Sequence, residues 1–195
     1  NFFENLPDCL IGTFVIKSTV PIGTTKRYSE RHNVIHNPEF LTARNAVDDY
    51  SKSERNIVGG DEELCMDFIN FFHKCFPHIK NIITTSNESE TIKYFSNTFL
   101  AYKVAYFNKI YDSCQAVGMN YDIVCDGITS DSRIGKSHTK VPGIDNDRGF
   151  GGTCFPKDIN SLIKQMESYD VNADMFKEVW KYNQKIRKII DRTTT

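Results

Sequence analysis

The sequence predicts an α/β protein in which a partial, mainly parallel sheet is followed by an all-helical region. Four short β-rich runs alternate with helical segments in residues 1–85, and such alternation favours parallel strands joined by helices. In residues 86–195 the apolar residues recur mostly at helical spacing. The chain has 195 residues and is 39% hydrophobic, which is enough to bury a core in one domain or in two unequal units.

Turn signals separate the predicted strands. Asn37-Pro38 stops the second run and Gly59-Gly60 closes the third, because proline and glycine interrupt strands and favour turns. Residues 61–76 predict a helix, since apolar residues lie at helical spacing, acidic residues open the segment and Pro77 ends it. The predicted strands are residues 13–17, 33–36, 56–58 and 79–84.

A long helix is predicted to begin at Ser86 or Asn87 and to run to about residue 117, where Gly118 ends it. Apolar and aromatic residues recur along it every three or four positions. This periodicity indicates a buried face but leaves open whether a partner subunit or the chain's own sheet covers it. Shorter helices are predicted at residues 121–129, 158–166 and 173–191, and residues 130–153 predict a polar loop long enough to suggest function or mobility.

The composition argues against several classes of function. The formal net charge is -1, and charges of both signs are interspersed, so nothing indicates nucleic-acid binding. No apolar run approaches the roughly 20 residues of a spanning helix, and no secretion leader is recognised, so we expect a cytoplasmic protein without membrane contact. The six cysteines form no C-x-x-C pair and read as reduced thiols. The five histidines show no metal-ligand spacing, so no metal is expected.

One segment places a cysteine, Cys154, between a glycine cluster and a Pro-Lys-Asp turn. Glycines allow backbone to approach a ligand closely, and the run Pro-Lys-Asp-Ile predicts the start of a helix. A thiol at a helix N-terminus beside a lysine is favoured as the thiolate, the form that attacks a carbonyl. Cys154 is therefore a candidate nucleophile, and the alternative is a buried, inert cysteine in a tight glycine turn.

Five motifs follow one another along the chain. They are Lys17-Ser18-Thr19-Val20-Pro21-Ile22-Gly23, Asn37-Pro38-Glu39-Phe40-Leu41, the helical segment 90–108, Asp131-Ser132-Arg133-Ile134-Gly135, and the signature at 149–158. Together they resemble the motifs of the nucleotide-sugar dehydrogenases, the UDP-glucose/GDP-mannose dehydrogenase family. The resemblance covers nearly the whole chain and implies that residues 1–85 form the second half of a Rossmann-like NAD-binding domain. It implies that residues 86–195 form a central helical dimerisation domain that carries the cysteine loop.

Two features depart from the family pattern. A G-x-G-x-x-G turn after a strand is not found, because the nearest approach follows a loop and has Cys154 in place of the final glycine. We therefore expect the chain to lack the first half of the NAD domain, together with a C-terminal nucleotide-binding domain. Where family members carry a second glutamate after the Asn-Pro motif, this chain has Ala43 followed by Arg44, which puts any role shared by two glutamates in doubt.

The resemblance implies an NAD-dependent oxidation of UDP-glucose to UDP-glucuronate in two hydride steps. Cys154 would trap the aldehyde as a thiohemiacetal and then carry a thioester. Lys93 would stabilise the oxyanion or alkoxide, Asn97 would donate to the same oxygen or hold a water, and Asp158 would orient or deprotonate the hydrolytic water. Taken alone, Lys93 and Asn97 read as surface residues of a helix, and Asp158 as a charge that complements the helix dipole.

The resemblance implies further roles at the ligands. Thr19 and Glu39 match residues that flank the nicotinamide and the reacting sugar; turn chemistry and a surface carboxylate are the alternatives. Arg133 matches an arginine that reaches the nucleotide sugar of the partner subunit, and the alternative is a salt bridge to Asp131. The implied substrate-binding residues are Glu39, Phe40, Leu41, Lys93, Asn97, Arg133, Phe150 and Gly151, and the implied cofactor-binding residues are Thr19 and Lys157.

Other functions stay open on the sequence. The substrate is UDP-glucose, GDP-mannose or another nucleotide sugar, because the segments expected to read the base lie largely outside the motifs. A second hypothesis is a dimerisation or interaction module without activity of its own, motivated by the missing glycine turn that would cradle the pyrophosphate. The resemblance implies a homodimer through helix 87–117, whose aromatic residues suit an interface core.

Overall fold

The computed structural model describes residues 2–7, 11–41, 48 and 51–188 of the chain. The chain divides into two compact units, Asn1–Tyr94 and Phe95–Thr195. The first unit contains all four described strands, and the second is helical among its described residues. The α/β class with a following helical region, predicted from the sequence, is therefore confirmed.

The first unit is built on a four-stranded sheet in the order β1-β2-β3-β4. β1 pairs with β2 in parallel and β3 pairs with β4 in parallel, as the alternation of strands and helices predicts. β2 and β3 run antiparallel, and His36 pairs with Gly59 where they meet, so the sheet is mixed. The strands are β1 Thr13–Ile16, β2 Asn33–His36, β3 Arg55–Gly59 and β4 Lys80–Thr84.

Two helices of the first unit follow strands. α1, Thr24–Ser29, is a six-residue helix that the apolar pattern of the sequence did not predict. α2, Glu62–Cys75, matches the predicted helix, and the Asp61 carboxylate caps it by accepting from the backbone N–H groups of Glu63 and Leu64. α2 closes a core over the sheet, which consists of Ile35, Val58, Cys65 and Ile69 with Val15, Leu64 and Phe68 packed against them.

A 32-residue helix, α3, begins in the first unit and continues into the second. The second unit adds three more described helices, and its core contains Phe107, Cys114 and Tyr121. Residues 130–153 contain no helix or strand, in agreement with the predicted loop. None of the described helices has both the length and the apolarity to cross a membrane. The helices are α3 Ser86–Val117, α4 Tyr121–Thr129, α5 Cys154–Ser168 and α6 Asp174–Ile186.

Two predicted helix ends are wrong. α5 begins at Cys154 rather than at residue 158, because Pro156 lies within its first turn, where the missing N–H costs no hydrogen bond. α6 ends at Ile186 rather than near residue 191, since Arg187 has an extended backbone with φ -86° and ψ 135°. The earlier start places the cysteine thiol on the helix itself.

Candidate active site

Cys154 is the first residue of α5 and is exposed. The hydroxyl of Thr153 lies 3.9 Å from its sulfur. The alternative of a buried thiol is therefore wrong for this residue. Four residues later along the same helix is Asp158, and this spacing places the two side chains on one helix face.

Asp158 is fully buried and both of its carboxylate oxygens have partners. Asn97 of α3 donates from Nδ2 to Oδ2 at 2.6 Å, and the ammonium of Lys157 lies 2.8 Å from Oδ1. A buried carboxylate held by an amide donor and a cation is fixed in direction. The structure thus brings together three of the predicted site residues beside the helix that begins with Cys154, and Asn97 is not a surface residue.

Lys93 is buried in the first unit, so its alternative as a solvated lysine is wrong. Its side chain is 4% exposed, and its ammonium donates to the backbone oxygen of Glu39 and lies 3.5 Å from the carboxylate of that residue. The ammonium also lies 5.0 Å from the ring centroid of Phe40. The cost of removing this ammonium from water is offset by the Glu39 carbonyl, the Glu39 carboxylate and the Phe40 ring.

The Asn-Pro-Glu-Phe-Leu segment is held from two sides. Arg55 of β3 lies 4.6 Å from the ring centroid of Phe40, on which Lys93 also packs. The Glu39 carboxylate accepts from the backbone N–H of Leu41 at 2.8 Å. These contacts fix the predicted substrate-binding residues in position, which limits the entropy lost on binding.

A small pocket opens beside this segment in the first unit. Lys17, at its edge, donates to Oδ1 of Asn37 at 2.6 Å, and burial lowers the pKa of Lys17 although the Glu39 carboxylate opposes that shift. Two cationic side chains and a carboxylate therefore face one polar cavity. The lining residues are Lys17, Pro38, Glu39, Phe40, Leu41, Ser53, Arg55, Asn56, Phe72 and Ile79.

Thr19 is half-buried in the turn that follows β1. Ligands of open α/β sheets bind outside the carboxyl ends of the strands, and this turn lies there. The sequence has no glycine turn that would cradle the pyrophosphate of a dinucleotide. Lys157, the other predicted cofactor contact, is 50% exposed and is ion-paired to Asp158.

Two buried polar groups under this turn were missed by the sequence analysis. The Glu90 carboxylate of α3 accepts from the backbone N–H groups of Gly23 and Thr25 and from the Thr25 hydroxyl, at 2.6, 2.8 and 2.6 Å. The His36 ring lies 2.8 Å from the Ser89 hydroxyl, and burial lowers the pKa of His36 to about 4, with a smaller contribution from two nearby lysines. Nothing in a polar helical position or a strand-end histidine signals such burial.

Arg133 and Phe150 make local contacts within the second unit. The Arg133 guanidinium is 88% exposed and pairs with Asp131, with Nη2 at 2.5 Å from Oδ2. Within this chain Arg133 therefore forms the salt bridge that was the alternative prediction. This hydrogen bond lowers the pKa of Asp131. The Phe150 ring is buried, 6.3 Å from that of Phe155 and 6.2 Å from that of Trp180, while Gly151 beside it is half-buried.

Some predictions concern residues outside the part of the chain that the structure describes. Ala43, Arg44 and Cys9 are among these. In the described ranges, no group of three or more histidine, cysteine, aspartate or glutamate side chains is arranged to hold a metal ion.

Two family models match the chain. The central domain of the UDP-glucose/GDP-mannose dehydrogenase family matches residues 87–185. The NAD-binding domain of the same family matches residues 10–77. The two matches follow one another in the order of the two structural units.

Curated relatives point to the same family. A UDP-glucose 6-dehydrogenase of Rickettsia conorii is 35% identical over 99% of this chain and 45% of the relative. A UDP-glucose 6-dehydrogenase of Bacillus subtilis is 37% identical over 93% of this chain and 40% of the relative. The chain therefore spans less than half the length of these relatives.

Solved structures share the fold. A UDP-glucose dehydrogenase from Pyrobaculum islandicum superposes with a TM-score of 0.79 at 31% identity, covering 89% of this chain and 41% of that chain. A GDP-mannose dehydrogenase from Pseudomonas aeruginosa gives a TM-score of 0.56 at 27% identity, covering 89% of this chain and 42% of that chain. Both cover the sheet and helical regions together, since they account for nearly nine-tenths of the chain.

Proposed function

This chain belongs to the UDP-glucose/GDP-mannose dehydrogenase family, and we propose that it serves the NAD-dependent oxidation of UDP-glucose to UDP-glucuronate. The observation that carries the proposal is the exposed thiol of Cys154 at the start of α5. One turn later the buried Asp158 is held by Asn97 and Lys157. UDP-glucose is the substrate in the names of the relatives from Rickettsia and Bacillus.

The chemistry is a four-electron oxidation divided at a covalent intermediate. The sugar alcohol loses a proton and a hydride to become an aldehyde, and the Cys154 thiol adds to the aldehyde carbon to give a thiohemiacetal. Loss of a second hydride and a proton leaves a thioester, which water cleaves to the acid and the free thiol. NAD supplies the chemistry of hydride acceptance in both oxidations.

Asp158 suits the hydrolytic step. Its carboxylate is fixed by Asn97 at 2.6 Å and by Lys157 at 2.8 Å, so it has a defined direction in which to accept a proton from water. In this proposal Asn97, next to the Asp158 carboxylate, donates a hydrogen bond either to a water or to the substrate oxygen. The thioester would then be attacked by a water already oriented.

Lys93 suits the stabilisation of negative charge on the substrate oxygen. Its ammonium is desolvated and already donates to the Glu39 backbone, and a fixed cation in a dry site stabilises developing charge more strongly than one in water. We assign Glu39, Phe40 and Leu41 to the sugar side of the site. The remaining assigned contacts are Thr19 and Lys157 for NAD, and Arg133, Phe150 and Gly151 for the nucleotide sugar.

The two regions of the chain have separate tasks in this proposal. Residues 1–85 act as the second half of an NAD-binding domain, and residues 86–195 act as a central helical domain that carries the cysteine loop. The central domain pairs two copies through helix 87–117. Pairing of this kind would let Arg133 exchange Asp131 for the nucleotide sugar of the partner subunit.

The test is NADH formation from NAD and UDP-glucose, followed by absorbance. Because the chain spans less than half of its relatives, the assay includes the complete product of the encoding gene. We expect activity that Cys154→Ser abolishes and that Cys75→Ser, at another exposed cysteine, leaves intact. Activity only with GDP-mannose or a UDP-N-acetyl sugar would change the substrate, and no NADH with any of them would refute the proposal.

A second candidate function is a pairing module without catalysis. It is favoured by a row of exposed aromatic residues on α3, which consists of Phe95, Phe99, Tyr102 and Tyr106. Calorimetry of this chain with NAD separates the two candidates. Binding in the micromolar range supports the dehydrogenase, and the absence of heat together with a stable dimer supports the module.

A further inference from the structure

The glycine segment that leads into Cys154 is held by side chains from the end of α6. We propose that Asn183 and Arg187 are positioning residues, which fix this segment and thereby the place of the Cys154 thiol. The catalytic consequence rests on the proposed function, whereas the positioning itself does not. The contacts all lie within the second unit.

Asn183 binds one residue of the segment at both backbone groups. Its Oδ1 accepts from the backbone N–H of Phe150 at 2.7 Å, and its Nδ2 donates to the backbone oxygen of Phe150 at 2.9 Å. The Asn183 side chain is 2% exposed, so these bonds do not compete with water. A two-point contact fixes both the position and the rotation of the peptide.

The residue before Phe150 has to be glycine for this contact. Gly149 has a φ of 70°, which side-chain-bearing residues rarely adopt, and a Cβ added there would overlap Oδ1 of Asn183. Its backbone N–H donates to Oδ1 of the buried Asn108 on α3 at 3.2 Å. The segment therefore lies between two buried asparagines from two helices.

Arg187 covers the next glycine. A Cβ added to Gly151 would overlap the guanidinium of Arg187, whereas the backbone of Gly151 lies outside the positive-φ region and would itself accept alanine. The guanidinium is 7% exposed; it lies 2.7 Å from the Asp145 carboxylate and 3.9 Å from that of Asp147. Burial alone would raise the pKa of Asp145, but the hydrogen bond from Arg187 helps to lower it.

These contacts end three residues before the thiol. Gly152, between them and Cys154, has a φ of 76°, and a Cβ added there would meet no atom within 4 Å. Reactions at a nucleophile are sensitive to displacements of about 1 Å. Asn183 and Arg187 thus hold the backbone at Phe150 and Gly151, close to the point where the helix of Cys154 begins.

The first test is hydrogen exchange of the backbone amides. Asn183→Ala removes both bonds to Phe150, and we expect exchange of the Phe150 amide to rise on the order of tenfold, the factor expected for loss of about 1.4 kcal/mol. Gln184→Ala, at the adjacent exposed residue, should leave this amide unchanged. Unchanged exchange in Asn183→Ala would overturn the positioning role of Asn183.

The second test is a double-mutant cycle at Gly151 and Arg187. Gly151→Ala should slow the alkylation of Cys154 relative to Cys75 in the same chain, because the added methyl group displaces the segment. Arg187→Lys keeps a positive charge near Asp145 and frees space over Gly151, so the double variant should recover most of the rate. Lys185→Ala, at an exposed residue of the same helix, should give no recovery.

The outcomes separate this inference from the proposed function. If Gly151→Ala and Arg187→Lys had additive effects on the rate of Cys154 alkylation, a clash between these two residues would not be the cause of the slower rate, and the inference would be overturned. In the complete gene product, we expect Gly151→Ala to lower kcat more than it raises KM for UDP-glucose, with recovery by Arg187→Lys. If Arg187→Lys restored the alkylation rate but the complete gene product formed no NADH, the result would support the positioning role and refute the proposed dehydrogenase activity.

Discussion

Cys154 and Cys75 are exposed thiols at opposite ends of helices. Cys154 opens α5 and Cys75 closes α2. The N-terminal end of a helix carries partial positive charge, which favours a thiolate, and the C-terminal end carries partial negative charge, which disfavours it. The pair therefore serves as its own control for activation by the helix.

We predict that limiting iodoacetamide near neutral pH labels Cys154 before Cys75. Both cysteines are exposed, so the stabilisation of the thiolate by the helix end should decide the rate of alkylation. Mass mapping of the labelled peptides measures the order. The buried Cys65 and Cys114 should react last, since burial raises the pKa of Cys65 to about 11 and shields both thiols. Equal labelling of Cys154 and Cys75 would contradict activation by the helix.

His36 predicts a pH dependence of stability. Its folded-state pKa of about 4 lies below the ordinary value of 6.5, so the unfolded chain binds a proton first as the pH falls. The stability present above pH 6.5 is then lost progressively down to about pH 4, and the loss between pH 7 and pH 5 is about 2 kcal/mol.

Denaturant unfolding at several pH values measures this dependence. His36→Asn removes the titrating ring, and we expect its free energy of unfolding to fall less than that of the parent between pH 7 and pH 5. His73→Asn, at an exposed histidine of α2, should keep the full loss. Equal pH dependence in both variants would show that His36 is not the group responsible.

The contacts of the predicted site residues could not be derived from the sequence. Lys93, Asn97 and Asp158 were named from motifs, but their burial depends on groups far away in sequence. Asn97 meets Asp158 across 61 positions and Lys93 meets Glu39 across 54. Local pattern carries no information about such pairs, and for this reason Lys93 and Asn97 read as surface residues.

At the scale of elements, α1 and α3 are joined by one buried carboxylate. Glu90 of α3 accepts three hydrogen bonds from the first turn of α1 and from Gly23 before it. Gly23 has a φ of 95° and offers no side-chain cap of its own. Glu90 thus replaces the cap that α1 lacks and ties the Ser-Thr-Val-Pro turn to the long helix.

We predict that Glu90→Gln lowers the free energy of unfolding by about 2 kcal/mol, because the neutral amide has one acceptor oxygen and turns N–H groups towards other donors. Glu63→Gln, at an exposed residue of α2, should change stability by less than about 0.5 kcal/mol. Thermal or denaturant unfolding measures both. If Glu90→Gln left the free energy of unfolding unchanged, this would mean that water replaces the carboxylate at this turn.

The predicted strands and most helices were found because their signals are local. Asp61 and Pro77 mark the ends of α2, and the four strands follow β-branched runs. α1 was missed since six residues are too few to show periodicity. The start of α5 was placed too late because proline was read as a boundary, whereas it lies inside the first turn of the helix.

At the scale of the whole molecule, the sequence predicted parallel pairing but not the antiparallel junction of β2 and β3. Parallel pairs follow from strands that alternate with helices. β2 and β3 pair antiparallel at His36 and Gly59, and strand pattern alone does not encode the direction in which a connection returns.

The aromatic residues of α3 separate into two sets that periodicity could not distinguish. Tyr94 and Phe107 are 2% and 1% exposed and belong to the interior. Tyr111 is partly buried and packs against the core of the second unit. The remaining four form one row at spacings of three and four residues, which we call the aromatic row: Phe95, Phe99, Tyr102 and Tyr106 are 44%, 66%, 39% and 56% exposed. A row of exposed aromatic rings on one helix face is typical of an interface core.

We predict that the chain is a homodimer that pairs through the aromatic row. In a two-fold pair the same patch meets itself, so Phe99→Ser together with Tyr106→Ser removes four rings from one interface. Light scattering at micromolar concentration should give twice the chain mass for the parent and the single mass for this double variant. Phe71→Ser removes a ring that is 68% exposed on α2 and should leave the mass doubled, since it controls for loss of an exposed aromatic residue elsewhere. A parent that is a monomer would contradict the pairing and leave Arg133 without a partner subunit to reach.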